Sequence, residues 1–301
     1  MPHPTLDLIF ECALFVFGLV FGSFLNVCIS RIPSDQSVVA PGSHCPACGA
    51  AIRWRDNVPV LSWLTLRGRC RDCRMRISLR YPAVELLTGL LFAMCFGWFG
   101  PNWLTFKMCV FCFLLVGLIF MDGETGLLPH EFTYPGIVLG LGLSCLAATD
   151  SSGTQFWLRI YGIHLSPVRL SLLDSAIGAF VGAGFLYLAW ALYYLVRRRH
   201  GMGFGDIALM AMSGAFLGLK LTVFVLFFAT VSATIYSVVI LAWHARHRSA
   251  AVENEDAAPD ISMREMLLAG EIPFGVFLGA CSLVAVFFGQ AIWRWYLNFF
   301  R

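Results

Sequence analysis

Along the chain, hydrophobic positions gather into about eight long runs, near residues 7–30, 82–100, 103–121, 132–148, 171–196, 206–219, 221–243 and 273–297. A helix needs roughly 20 apolar residues to cross the hydrocarbon core of a bilayer. The sixth run is short and spans only if its glycine-rich approach is counted. The pattern predicts an all-α polytopic membrane protein with about eight transmembrane helices. Polar residues dominate one substantial stretch, about fifty residues after the first run. The chain therefore divides into a first transmembrane helix (1–30), a polar loop (31–81) and a membrane-embedded remainder (82–301).

Composition agrees: 58% of residues are hydrophobic and 13% charged, where a soluble domain carries about 25% charged residues. The net charge of +3 matters less than its distribution. Between Arg31 and Arg80 lie nine arginines and no lysine. With this loop in the cytoplasm, Arg197, Arg198, Arg199, Arg246, Arg248 and Arg264 also fall inside. Only Lys107, Arg159, Arg169, Lys220, Arg294 and Arg301 fall outside. The positive-inside rule thus orients the chain with both termini facing out. It also accounts for the arginines without nucleic acid as a partner. "MPHPTLDLIFECALF" has no basic residue ahead of its apolar stretch, so no cleaved signal peptide is expected.

The polar loop carries "CPAC" (Cys45, Cys48) and, after twenty-one intervening residues, "CRDC" (Cys70, Cys73). Two such knuckles form the ligand set of a zinc ribbon: each offers two thiolates from a tight turn, and four close a tetrahedral site. Gly49 and Gly68 stand where such turns need conformational freedom. A closed four-cysteine site has no open coordination position, so its zinc is structural. Disulfides are disfavoured in a reducing cytoplasm. Cys109 and Cys112 also spell CxxC, but within an apolar run, where they read as small packing residues.

Several chemistries are excluded. There is no GxSxG elbow. "MSGAF" (Met212 to Phe216) places a serine at a small-residue packing site. "HEFTY" (His130 to Tyr134) lacks the second histidine of a zinc-protease helix. His244 and His247 read as a solvated basic flank, and "ENEDAAPD" (Glu253 to Asp260) as a solvated loop. Carboxylates at the membrane face remain. Asp122 ends a span running inward and Asp206, in "GMGFGD", begins one running outward, so both meet the cytoplasmic surface. Singly, each reads as a helix-end residue, Asp206 as a cap. Together they form a candidate dyad sharing one proton, one member activating water and the other donating to a carbonyl. Gly203 and Gly205, flanking Phe204, would let the backbone approach a neighbouring helix or an extended peptide.

"FGSFLNVCISRIP", "CPACGAAIRWRDNVPVLSWLTLRGRCRDCRMRISLRYPAVELLTGLLF", "MDGETGLLP", "GMGFGD" and "EIPFGVFLG" resemble, in order, the signatures of bacterial type IV prepilin peptidases. These are GxGD-type aspartic proteases of the inner membrane. The resemblance implies an embedded peptidase domain over 82–301, with Asp122 and Asp206 as catalytic aspartates and Gly203, Phe204 and Gly205 as active-site backbone. It implies zinc on Cys45, Cys48, Cys70 and Cys73. The substrates would be type 4 prepilins or type II secretion pseudopilins, cut after a glycine on the cytoplasmic side. The new N-terminal residue, usually phenylalanine, would then be methylated from S-adenosylmethionine, a step the family associates with the zinc-binding loop. Two positions depart from the family pattern: His130 stands where an aspartate is common, and Ala208 where a lysine is common. Glu85, Asp72, Asp56 and Glu124 are candidates to attract a basic leader. The competing expectations are a peptidase without methyl transfer and a non-enzymatic membrane scaffold recruiting a partner through its zinc ribbon. A transporter is disfavoured because both carboxylates sit at one surface rather than at the midplane.

Overall fold

The computed structural model describes residues 4–149, 151–198, 203–252 and 273–299. Outside these lie Arg199, His200, Met202, the Glu253–Asp260 stretch, Arg264, Glu271 and Arg301; the side chains of His244 and His247 are likewise not described. The described residues form no strand, only two isolated bridges. The helices are α1 (Pro4–Arg31), α2 (Leu61–Thr65), α3 (Arg80–Phe99), α4 (Trp103–Thr125), α5 (His130–Ser144), α6 (Ser152–Ile160), α7 (Pro167–Arg197), α8 (Phe204–Val252) and α9 (Phe274–Phe299). Six of them, α1, α3, α4, α7, α8 and α9, are long and apolar enough to cross a membrane.

The eight predicted runs are all helical, with two adjustments. α5 has 15 residues, about 22 Å of helix, less than the ~30 Å hydrocarbon core. The sixth and seventh runs are the two limbs of α8, broken at Gly218 (φ 77, ψ 174). Contacts along α7 fix their directions. Gly178 faces Gly214, Gly218 and Leu219; Gly182, one turn later, faces Met210 and Thr222. Residues 204–217 therefore run against α7 and residues 219–252 run with it: the chain reverses at Gly218. A side chain there would be left-handed and would collide with Asp174 Oδ2, 2.0 Å from an added Cβ.

Close approaches at glycines set the other directions. Gly18 and Gly22 of α1 meet Gly89 and Glu85 of α3, so that pair is antiparallel. Gly136 and Gly140 of α5 meet Met212 and Phe216, parallel to the first α8 limb. Gly275 and Gly279 of α9 meet Asp122 and Ile119 of α4, again antiparallel. The bundle thus has an arginine-rich end and a far end. At the first, Arg80 bonds Glu124 and Ser30 Oγ, joining the ends of α1, α3 and α4.

At the far end, the side the charge count expects for it, Lys107 is fully buried. Its Nζ donates to Ser144 Oγ at 2.8 Å, and Ser144 Oγ lies 2.7 Å from Ser175 Oγ. Taking an ammonium out of water costs several kcal/mol unless it is hydrogen-bonded near an opposite charge. Asp174, within electrostatic reach, supplies that charge. Asp174 also accepts from Thr154, which ties down α6, a helix the apolar-run reading does not contain.

Candidate active site

α4 is capped at its start by Asn102, whose side chain accepts the N–H groups of Leu104 and Thr105. It ends at Gly126, whose left-handed backbone (φ 65) returns an N–H to the Asp122 carbonyl at 2.9 Å. Asp122 therefore lies in the last turn, at the arginine-rich end, and is 6% exposed. Its Oδ2 accepts the Val276 N–H at 2.8 Å, and the Gly275 N–H also bonds the carboxylate. These amides belong to the first turn of α9, where the Val276 N–H is shared with the Pro273 carbonyl at 3.1 Å, and a helix N-terminus favours an anion. The fit requires glycine: a Cβ at position 275 would stand 2.7 Å from Oδ2.

Asp206 lies two residues inside α8, not at its cap, and is 8% exposed. The first limb of α8 starts at the same end of the bundle, and the Asp122 carboxylate lies within electrostatic reach of Asp206. Leu128, in the connection after α4, is wedged between the two segments. A Cβ on Gly205 would sit 2.6 Å from its Cβ, and one on Gly275 would sit 2.9 Å from its Cδ1. α9 packs on both α4 and α8, so the two acids share a neighbourhood 84 residues apart in sequence. Of the two flanking glycines, only Gly205 is a close approach; at exposed Gly203 an added Cβ would meet nothing nearer than 3.9 Å. Phe204 packs its ring on Trp190 of α7, centroids 4.9 Å apart. His130 is exposed and stacks on Tyr134, and Ala208 is buried.

The loop between α1 and α3 brings Cys45, Cys48, Cys70 and Cys73 together, with all four sulfurs within 4.8 Å of one another. Cys45 and Cys73 are 3.8 Å apart, and Zn–S bonds of ~2.3 Å in a tetrahedron give edges of ~3.8 Å. The residues fit zinc. Each knuckle is a miniature hairpin: His44 bridges Ala51 and Arg69 bridges Arg76. The left-handed position is Gly49 (φ 71) in the first and Arg74 (φ 62) in the second. Gly68 also has left-handed backbone (φ 64), as expected of a turn, but it precedes the second knuckle and packs under Trp63, 2.8 Å from an added Cβ. Backbone amides of Cys48 and Ala47 pull the Cys45 thiol down, while the crowding of the other three sulfurs helps to push the Cys73 thiol up, so one member of the cluster ionises ahead of another. None of the eleven cysteines is paired in a disulfide. Cys109 and Cys112 are buried in α4, with Cys112 Sγ 3.9 Å from Cys95 Sγ. Ser213 joins helices, accepting from Ser282 at 3.1 Å.

Of the four carboxylates considered for a basic leader, three are engaged. Glu85 is buried and accepts the Val60 N–H at 2.7 Å, pinning the loop to α3. Asp56 pairs with Arg71, which foremost holds it below the usual carboxylate range. Glu124 pairs with Arg80. Asp72 is exposed between two cysteines. The sequence reading missed the Gly275–Val276 bonds to Asp122; the glycine in "EIPFG" was the available signal.

Residues 108–238 match the model described as "Type IV leader peptidase family", and residues 16–99 match that of the "Bacterial Peptidase A24 N-terminal domain". A "Prepilin leader peptidase/N-methyltransferase" of Aeromonas hydrophila is 33% identical over 313 residues, covering 95% of this chain and 93% of that one. The chain belongs to the type IV leader peptidase family. Relatives under the same description include that of Myxococcus xanthus, 39% identical over 77% of this chain and 64% of its own length. The protein of Neisseria gonorrhoeae is 33% identical over 77% of this chain and 82% of its own length. No solved structure matches the chain. Within the family match fall both buried aspartates; the four cysteines fall within the N-terminal match.

Proposed function

We propose that this protein is a bacterial inner-membrane prepilin leader peptidase that also N-methylates the product it releases. One observation carries the reading: two buried carboxylates, Asp122 and Asp206, sit at the arginine-rich end of a membrane bundle, one of them bonded to the first turn of α9. The arginine distribution puts that end in the cytoplasm. A prepilin is a membrane-inserted helix with a basic leader on the cytoplasmic side, so its scissile bond would reach the dyad without leaving the bilayer.

In this mechanism Asp122, held by the Val276 and Gly275 N–H groups, carries the charge, and Asp206 carries the proton. Asp122 takes a proton from water as the water oxygen bonds the glycine carbonyl carbon; Asp206 gives its proton to the carbonyl oxygen. The resulting diol collapses as the C–N bond breaks: the proton on Asp122 passes to the departing amine, and one diol hydroxyl returns its proton to Asp206 as the carboxyl group forms. No metal takes part. Cys45, Cys48, Cys70 and Cys73 would hold a zinc ion whose contribution is folding of the loop. S-adenosylmethionine would supply the methyl group through its sulfonium; the chain's part is to keep the new amine at the membrane surface.

Cleavage of a co-expressed prepilin tests the reading. Asp122→Asn and Asp206→Asn should each lower processing by roughly 10²–10⁴-fold while the protein stays inserted and zinc-loaded. Undiminished processing by either variant refutes it. Labelled S-adenosylmethionine separates the peptidase-only alternative: cleavage without label in the product leaves the peptidase alone.

A further inference from the structure

Between α2 and the second cysteine knuckle the loop forms a concavity of about 540 Å³, lined by Thr65, Leu66, Arg67, Arg69, Arg71 and Arg74. Four guanidinium groups around one hollow repel one another. Arg71 is offset by Asp56; among the described residues no carboxylate pairs with the other three. Nor is the arrangement a loose fringe of basic residues. Arg67 and Arg74 both hold left-handed backbone (φ 51 and 62). The turn at Arg67 is closed by Gly68 N–H to Trp63 O at 2.8 Å, and the turn at Arg74 by its own N–H to Cys70 O at 3.2 Å. The arginines are presented by fixed turns, which lowers the ordering cost of binding.

The position of the hollow narrows its ligand. The Val60 N–H is bonded to buried Glu85, in the second turn of α3, so α2 lies against the foot of a spanning helix. Beside Val60, Leu61 and Leu64 are 60% and 57% exposed, and Trp54 is 85% exposed. Apolar and aromatic side chains standing free next to arginines at the end of a spanning helix suit the headgroup layer of a bilayer. Two ligands of the proposed reaction fit poorly. The basic leader is repelled, and S-adenosylmethionine bears a sulfonium and an ammonium against one carboxylate. Phosphate fits: arginine forks bond its oxygens in pairs.

We infer that the hollow bounded by Arg67, Arg69, Arg71 and Arg74 is a phosphate site that takes the headgroup of an anionic phospholipid from the cytoplasmic leaflet. Bound there, the lipid holds the zinc-ribbon loop flat on the membrane beside the end of the bundle. This rests on the loop facing the cytoplasm, not on the dyad chemistry.

The test is lipid retention by the intact, zinc-loaded protein in detergent, read by native mass spectrometry with phosphatidylglycerol or phosphatidylcholine added. Wild type should keep phosphatidylglycerol in preference. The double variant Arg67→Gln, Arg74→Gln should bind it about 30-fold more weakly, ~2 kcal/mol, with unchanged zinc content and prepilin cleavage in detergent. Arg67→Lys, Arg74→Lys, which keeps the charge, should retain most of the preference, separating loss of the site from loss of the fold. Equal retention of the two lipids by wild type overturns the proposal, as does equal retention of phosphatidylglycerol by wild type and the glutamine variant. Inorganic phosphate is the remaining arm: if it binds in the hollow but phosphatidylglycerol does not, the headgroup assignment falls.

Discussion

Gly275 shows how one missing carbon shapes the site. Its N–H and that of Val276 reach Asp122 because nothing projects between them, and an added Cβ would stand 2.7 Å from Oδ2. Gly275→Ala should therefore slow prepilin cleavage by about 100-fold, the scale of a 1 Å misplacement of a catalytic group. Its thermal midpoint should stay near wild type, since the displaced group is at the edge of the bundle. An unchanged cleavage rate would show that the α9 turn does not position Asp122. Legibility at this scale was uneven. Aspartates at the ends of apolar runs stand out because charge is rare there. The partners of Asp122 are backbone amides 154 residues away, and backbone amides leave no trace in side-chain chemistry. The charge count places Lys107 on the outer side, but only the assembled bundle supplies Ser144 and Asp174 around it.

Among the elements, α8 is the instructive case. Its two limbs, read as separate apolar runs on either side of Lys220, are two helices joined at Gly218, where the chain turns back. The reversal depends on a left-handed residue facing Asp174 with no side chain between. Gly218→Ala should destabilise the protein by about 1–3 kcal/mol, read as a lowered thermal midpoint in detergent; no change would mean the reversal relaxes freely. α6 escaped notice because nine residues are too few to make an apolar run. It is held by Thr154 on buried Asp174 while Phe156, Trp157 and Ile160 stay exposed. The four-cysteine cluster, by contrast, was plain in the CxxC spacing, since a tetrahedral ion would demand that pattern. Chelation should leave the helical bundle's circular dichroism almost unchanged while residues 31–79 become cleavable by a soluble protease. Resistance after proven metal loss would show that the loop folds without its ion.

For the whole molecule, helix directions and charge distribution agree. Among the described residues, Arg31, Arg53, Arg55, Arg197 and Arg198 lie toward one end, and Lys107, Arg159, Arg169, Lys220 and Arg294 toward the other. Alkaline phosphatase, active only when exported, should therefore be active when fused after Gly100 and inactive when fused after Gly126. The reverse result would invert the topology and place the dyad outside. The sequence by itself pointed to the solvent, the apolar segments, a four-cysteine set suited to a metal, an expected orientation and the two candidate acids. Each follows from local chemistry: greasy length, thiol spacing, uneven charge, carboxylates where lipid meets water. Tertiary structure alone decided which carboxylates are engaged, that α9 delivers its amides to Asp122, that Lys107 is buried, and that four arginines surround one hollow. These depend on which helices are neighbours, and neighbourhood is set by packing between segments far apart in the chain.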